Sequence, residues 1–275
     1  MRLVTIRTAN GTRAGRLEGD QVVELDFSDV GALLAGGDAA MRAAATADGP
    51  RHDYATVDLA PVIPKPPKII CVGQNYMAHI AEMGSQPPDY PTIFAKYTRA
   101  LIGPRDDVVL PKVSDNVDWE VELAIVIGKE ARHVSGDAAM DAVAGWTILN
   151  DVSVRDFQRR TAQFLQGKTF EKSTPIGPAL VTKDEIDVSD LRLVTEVDGV
   201  VMQDSSTADL LFKPVDIIAY LSQIITLEPG DIIATGTPSG VGAGRKPPVW
   251  LRPGQTMVTR VEGLGELVNR CMKEA

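Results

Sequence analysis

Cysteine and histidine are scarce in this 275-residue chain, which has two Cys and three His, and aromatic residues make up only 5%. Cys71 lies in the apolar run Ile69-Ile70-Cys71-Val72, so a buried reduced thiol is expected and no disulfide. No Cys/His cluster exists to favour zinc. Lys/Arg clusters are missing as well, and a net charge of -9 with a pI near 4.9 opposes a nucleic-acid partner. No apolar stretch approaches membrane-spanning length, and the first residues lack the apolar core and cleavage site of a signal peptide. A soluble, cytoplasmic protein with no membrane partner is therefore expected. What is present is ordinary globular usage, 44% hydrophobic and 24% charged, enough for one large domain or a small one fused to a larger.

Residues 1 to about 30 alternate apolar and polar positions around turn signals at Asn10-Gly11 and Gly19-Asp20, a pattern of short antiparallel strands. An alanine-rich stretch from Asp38 to Asp48 predicts one helix, and Pro61, Pro64, Pro66 and Pro67 form a stiff connector after it. The expected division is a small N-terminal β domain over 1–62 and a larger domain over 68–275. Beyond Lys68 the short β-branched runs 69–72, 123–127, 146–149, 193–197 and 232–234 are of strand length. Asp198-Gly199 predicts a hairpin, and helices are expected over 75–83, 152–164 and 214–225. The fold class is mainly β with α, an α+β arrangement.

Asp118-Trp119-Glu120-Val121-Glu122 runs straight into the core strand Leu123–Ile127. On a strand, Glu120 and Glu122 share a face about 7 Å apart, while Trp119 and Val121 face the other way. A lone E-x-E is usually a solvated face. Asp151, at the end of the run Trp146–Asn150, supplies a third carboxylate, and three hard oxygen donors suit Mg²⁺, Mn²⁺ or Ca²⁺. Open positions on such an ion would accept an anionic chelating substrate. Among the histidines, His79 has company: Glu82 follows three residues later on one helical face, behind a candidate N-cap at Asn75. His52 and His133 have none. Lys168 could face the carboxylates, and Arg155 and Gln158 follow Asp151 at helical spacing, though position alone does not rank them above surface residues. The loop 235–242 fails both nucleotide-binding glycine patterns; hydroxyl donors from Thr235 or Thr237 to a small ligand compete evenly with a plain turn.

In this order along the chain, Val72-Gly73-Gln74-Asn75-Tyr76 with His79 and Glu82, Pro91–Lys96, Asp118–Leu123, Asn150–Asp156, Gly167-Lys168 and Gly230–Pro238 resemble the fumarylacetoacetate hydrolase family, over roughly residues 68 to 269. The resemblance implies a mixed β-roll, a homodimer, and Mg²⁺ or Mn²⁺ on Glu120, Glu122 and Asp151. It implies a water-activating dyad of His79 and Glu82, a lysine near the metal at Lys168, and substrate contacts at Arg155, Gln158 and Thr237. Trp119 stands where many relatives have tyrosine, and Gln74 where leucine is frequent. The expected activity is hydrolytic carbon–carbon cleavage of a 2,4-dioxo acid of acylpyruvate or fumarylpyruvate type through a metal-bound enolate. Oxaloacetate decarboxylation and isomerisation of an unsaturated dioic acid are the alternatives on the same site, and a non-catalytic oxo-acid sensor is the alternative from another class.

Overall fold

A computed structural model describes residues 1–275. The alternating N-terminal segment forms β1 (Arg2–Thr8), β2 (Gly11–Glu18) and β3 (Gln21–Glu24), followed by α1 (Val30–Ala35), α2 (Gly37–Ala44) and β4 (Arg51–Asp53). The alanine-rich helix therefore stops at Ala44, short of the expected Asp48, and a separate helix precedes it, capped by the Asp29 carboxylate accepting from Ala32 N–H.

After the proline connector come β5 (Ile69–Gly73), α3 (Met77–Glu82), β6 (Thr92–Ala95), β7 (Leu101–Ile102), β8 (Val108–Leu110), β9 (Val117–Asp118) and β10 (Val121–Ile127). Then follow α4 (Gly136–Asp141), β11 (Val143–Asn150), β12 (Ser153–Val154), α5 (Arg155–Gln158), α6 (Leu165–Lys168) and β13 (Thr174–Thr182). The remainder holds β14 (Arg192–Val197), β15 (Val200–Ser206), α7 (Pro214–Ile224), β16 (Ile232–Ala234), β17 (Thr256–Val261) and β18 (Gly265–Lys273).

The fold is mainly β, as expected, in mixed sheets. The largest runs β4-β3-β2-β1-β13-β11-β10-β16-β5-β6 with β7 beside β13, a second runs β15-β14-β17-β18-β8, and β9 pairs with β12. The N-terminal strands extend the large sheet, because β1 lies antiparallel to β13 with Leu3 opposite Leu180. Strand β10 is buried along its whole length: Val121, Leu123, Ile125 and Ile127 enter one core cluster, and Ala124 and Val126 another. Burial on both faces explains why it reads as a continuous apolar run rather than an alternation. The hairpin at 198–199 forms with positive φ at both turn residues, 51° at Asp198 and 78° at Gly199, the geometry that matches strand twist.

Two expected helices are shorter. Residues 152–164 are not one helix: Ser153 and Val154 pair with Asp118 and Val117, α5 covers only Arg155–Gln158, and helix resumes at Leu165. The polar stretch Arg159–Gln163 has no apolar stripe to bury, so nothing holds it helical. The helix expected from Asn75 begins at Met77, with Tyr76 at the cap position. Asn75 acts differently: its side chain accepts from Phe212 N–H and donates to the carbonyls of Phe212 and Thr235, tying α3 to two distant loops.

Candidate active site

The register of β10 on β11 places Val121 opposite Asn150, which brings the ends of both strands together. Asp151 N–H donates to Glu120 C=O at 2.8 Å, and the Asn150 side-chain oxygen accepts from Glu120 N–H at 3.0 Å. Glu120 sits in the break between β9 and β10, and Glu122 lies two residues further on the same face. The result is that one oxygen from each of Glu120, Glu122 and Asp151 lies within 4.8 Å of the others, with all three residues buried.

Buried cations hold this cluster. Lys168 Nζ lies 2.6 Å from Glu120 Oε2 and 2.9 Å from Asp151 Oδ2. Lys96 Nζ lies 2.5 Å from Asp151 Oδ1. Arg155 places Nε 2.7 Å from Asp118 Oδ2 and Nη2 2.7 Å from Glu120 Oε1. Burial alone would raise the Glu120 carboxyl, but Lys168 and Arg155 outweigh it and bring it down to about 2. Lys168 remains an ammonium, because Asp151 and Glu120 more than offset its desolvation. Glu122 is the exception. Burial, reinforced by the charges of Asp151 and Glu120, pushes its carboxyl well above the ordinary range, and its hydrogen bond comes from Gly236 N–H at 2.6 Å.

Four buried carboxylates, Asp118, Glu120, Glu122 and Asp151, thus face three buried cations, Lys96, Lys168 and Arg155, and Glu122 has no ion pair. A further positive charge beside Glu122 would relieve that imbalance. The donors are carboxylate oxygens, each with a lone pair to spare after one hydrogen bond, so the residues fit a hard divalent cation such as Mg²⁺ or Mn²⁺.

Across the cavity, α3 presents His79, whose Nδ1 lies 3.0 Å from Glu82 Oε2, the pairing expected from their spacing. Glu82 Oε1 accepts from Gly240 N–H at 2.9 Å, and Gly244 packs so closely that a Cβ there would lie 2.7 Å from the Glu82 carboxyl carbon. Burial raises this carboxyl, yet the His79 and Gly240 bonds prevail and hold it below its ordinary value. His79, Glu120, Glu122, Arg155, Gln158, Lys168 and Thr237 all line one cavity of about 180 Å³, and Asp151 and Glu82 stand behind it, bonded to Lys168 and His79. Phe94 and Phe164 meet edge to face at its apolar wall.

Three residues important to this arrangement are not singled out by the sequence alone: Lys96, Asp118 and Gln203. Gln203 accepts from Val121 N–H and donates to Thr237 Oγ1 and the Pro238 carbonyl, seating the loop after β16. Asp118 adjoins the acidic block and Lys96 directly follows β6, but only tertiary pairing separates either from a surface charge. The hydroxyls of Thr235 and Thr237 are not free donors, since they donate to the carbonyls of Leu123 and Val121. His52, expected to lack a partner, meets Glu24 at 2.6 Å on the edge strand β4, several strands from the site, and His133 meets Gln223. Cys71 and Cys271 are free and buried.

Residues 68–272 match the family described as fumarylacetoacetate (FAA) hydrolase C-terminal. Over 215 residues, 77% of this chain and 68% of the other, the sequence is 48% identical to a mitochondrial oxaloacetate tautomerase of Homo sapiens. A solved structure described as a putative HpcE protein from Mycobacterium smegmatis superposes with a TM-score of 0.91 at 39% identity, covering 100% of both chains. A maleylpyruvate hydrolase from Sphingobium does so with a TM-score of 0.81 at 33% identity, again over 100% of both.

Proposed function

The chain belongs to the fumarylacetoacetate hydrolase family, and on that footing we propose that it interconverts the keto and enol forms of a small 2-oxo dicarboxylic acid of the oxaloacetate type. The observation that carries this reading is a small polar cavity with the buried acidic cluster on one side and a poised base, His79, on the other. Its volume falls below the roughly 300 Å³ at which drug-sized ligand sites begin, which suits a substrate of a few carbons. Charge points the same way. Arg155 faces the cavity, and Arg159, another lining residue, has no ion-pair partner of its own, so two guanidinium groups are placed for two carboxylates.

Glu120, Glu122 and Asp151 would hold Mg²⁺ or Mn²⁺, which when bound supplies polarisation of the 2-oxo group. Glu82 accepts from His79 Nδ1–H and thereby leaves the Nε2 lone pair facing the cavity as base. His79 removes a C3 proton from the keto acid, Lys168 neutralises the charge arriving on the C2 oxygen, and the imidazolium proton passes to that oxygen to give the enol. The shift is proton-balanced and needs no co-reactant.

Hydrolytic cleavage of a 2,4-dioxo acid is a second reading, favoured by the same His79–Glu82 pair, which could equally draw a proton from water, and by the likeness to a maleylpyruvate hydrolase. Following the enol absorbance of oxaloacetate and, separately, the release of pyruvate from acetylpyruvate distinguishes the two. The expected result is metal-dependent tautomerisation that falls about 10²–10⁴-fold in kcat on His79→Ala. Rapid acetylpyruvate cleavage with no effect on oxaloacetate would replace the first reading with the second.

A further inference from the structure

Asp118 does not line the cavity, is wholly buried, and receives four N–H donors. Oδ1 accepts from Trp119 N–H at 2.9 Å and Gly242 N–H at 2.6 Å; Oδ2 accepts from Ala243 N–H at 3.0 Å and Arg155 Nε–H at 2.7 Å. Three of these donors are backbone amides, so the carboxylate itself cannot swing. Its own backbone is pinned too, because Asp118 pairs with Ser153 across β9 and β12. The approach of the 242–243 amides depends on glycine: a Cβ at Gly242 would lie 1.9 Å from the Val249 carbonyl oxygen and 2.8 Å from Asp118 Oδ1.

Arg155 is the one long side chain of this group, and two hydrogen bonds and an ion pair hold it. Asp118 takes Nε, Gln158 Oε1 takes Nη1 at 2.9 Å, and Nη2 stands 2.7 Å from Glu120 Oε1 without the alignment of a hydrogen bond. A guanidinium beside the buried Glu120 alone would rotate to form a two-toothed pair with it and withdraw from the cavity. Holding Nε from behind prevents that rotation and keeps the guanidinium where Arg155 lines the cavity.

We infer that Asp118 is a positioning residue: anchored by three backbone amides, it sets the orientation in which Arg155 meets a substrate carboxylate. This rests on the reading of Arg155 as a substrate contact given above. Preorganising a charged donor through a fixed partner raises affinity by removing the cost of ordering it at the moment of binding. Asp118→Asn keeps the shape but must turn an N–H₂ group toward one donor set: facing Arg155 it removes the guanidinium's rear acceptor, and facing the loop amides it releases the anchor that holds that acceptor in place.

The experiment measures KM and kcat for oxaloacetate with Asp118→Asn, Arg155→Ala and the double variant, with thermal melting of each. The expected result is a KM raised about tenfold by Asp118→Asn, with kcat within about twofold and a lowered melting temperature, since buried donors are left facing one another. The double variant should show no higher KM than Arg155→Ala alone, since the support has nothing left to hold. An unchanged KM in Asp118→Asn, or effects that multiply in the double variant, would overturn the inference while leaving Arg155 as a contact. An unchanged KM in Arg155→Ala would remove the contact itself and overturn both readings. Should Asp118→Asn not fold, ¹⁵N NMR of the wild-type protein decides the matter: the Arg155 Nε–H signal is expected to exchange slowly with solvent without substrate, and exchange at the rate of an exposed arginine would refute the inference.

Discussion

Glu122 is the carboxylate with most to gain from a bound cation, because burial and two like charges disfavour its ionised form and no ion pair offsets them. Glu122→Gln should lower Mn²⁺ affinity, read by calorimetry, by more than the roughly 10–100-fold that removing an outer hydrogen-bond partner of a ligand costs. The metal-free variant should also melt higher than the metal-free wild type at pH 7, since the cost of burying a carboxyl whose ionisation the fold disfavours has been removed. Glu82 behaves in the opposite sense. Its folded carboxyl lies below the ordinary 4.5, so the stability it contributes is present above that pH and is lost as pH falls through the folded value. Melting curves between pH 6 and about pH 3 should therefore fall less steeply for Glu82→Gln than for the wild type, and parallel curves would show that the His79–Glu82 bond adds nothing.

At the scale of elements, the strands were legible wherever sheet periodicity or a complete apolar run marked them, as with β10 and the 198–199 hairpin. The acidic trio was legible for the same reason, since strand spacing puts Glu120 and Glu122 on one face and a strand end delivers Asp151. The segment 152–164 was legible only in part: the polar stretch Arg159–Gln163 marks the break, but the return of the chain that sets Gly167 against Gln158, where a Cβ would come within 2.4 Å of the Gln158 nitrogen, is not encoded locally. Lys96 and Asp118 were hidden likewise, as a charged residue reveals its burial only when its partner is found. The Gly167 contact sets where Lys168 begins its reach to Glu120 and Asp151. Gly167→Ala should accordingly destabilise the fold by about 1–3 kcal/mol in denaturant titration and also depress kcat, whereas a purely structural effect would spare kcat in the folded fraction.

For the whole molecule, the continuity of β1 with β13 and the shared core of Leu3, Leu33 and Leu34 with Ile69, Leu149 and Leu180 tie the first sixty residues to the site-bearing sheet. Urea unfolding followed by far-ultraviolet dichroism and by Trp fluorescence should give one coincident transition; an early separate loss of the N-terminal strands would instead mark 1–62 as an independent unit, as the proline connector suggests. No helix is long and apolar enough to cross a membrane. The pairing of β1 with β13 also bears on biogenesis. During translation Leu3 leaves the ribosome long before Leu180 exists, so the nascent meander must survive with one hydrogen-bonding edge bare until two-thirds of the polypeptide has been made. A chaperone that shields strand edges would find its substrate in that interval.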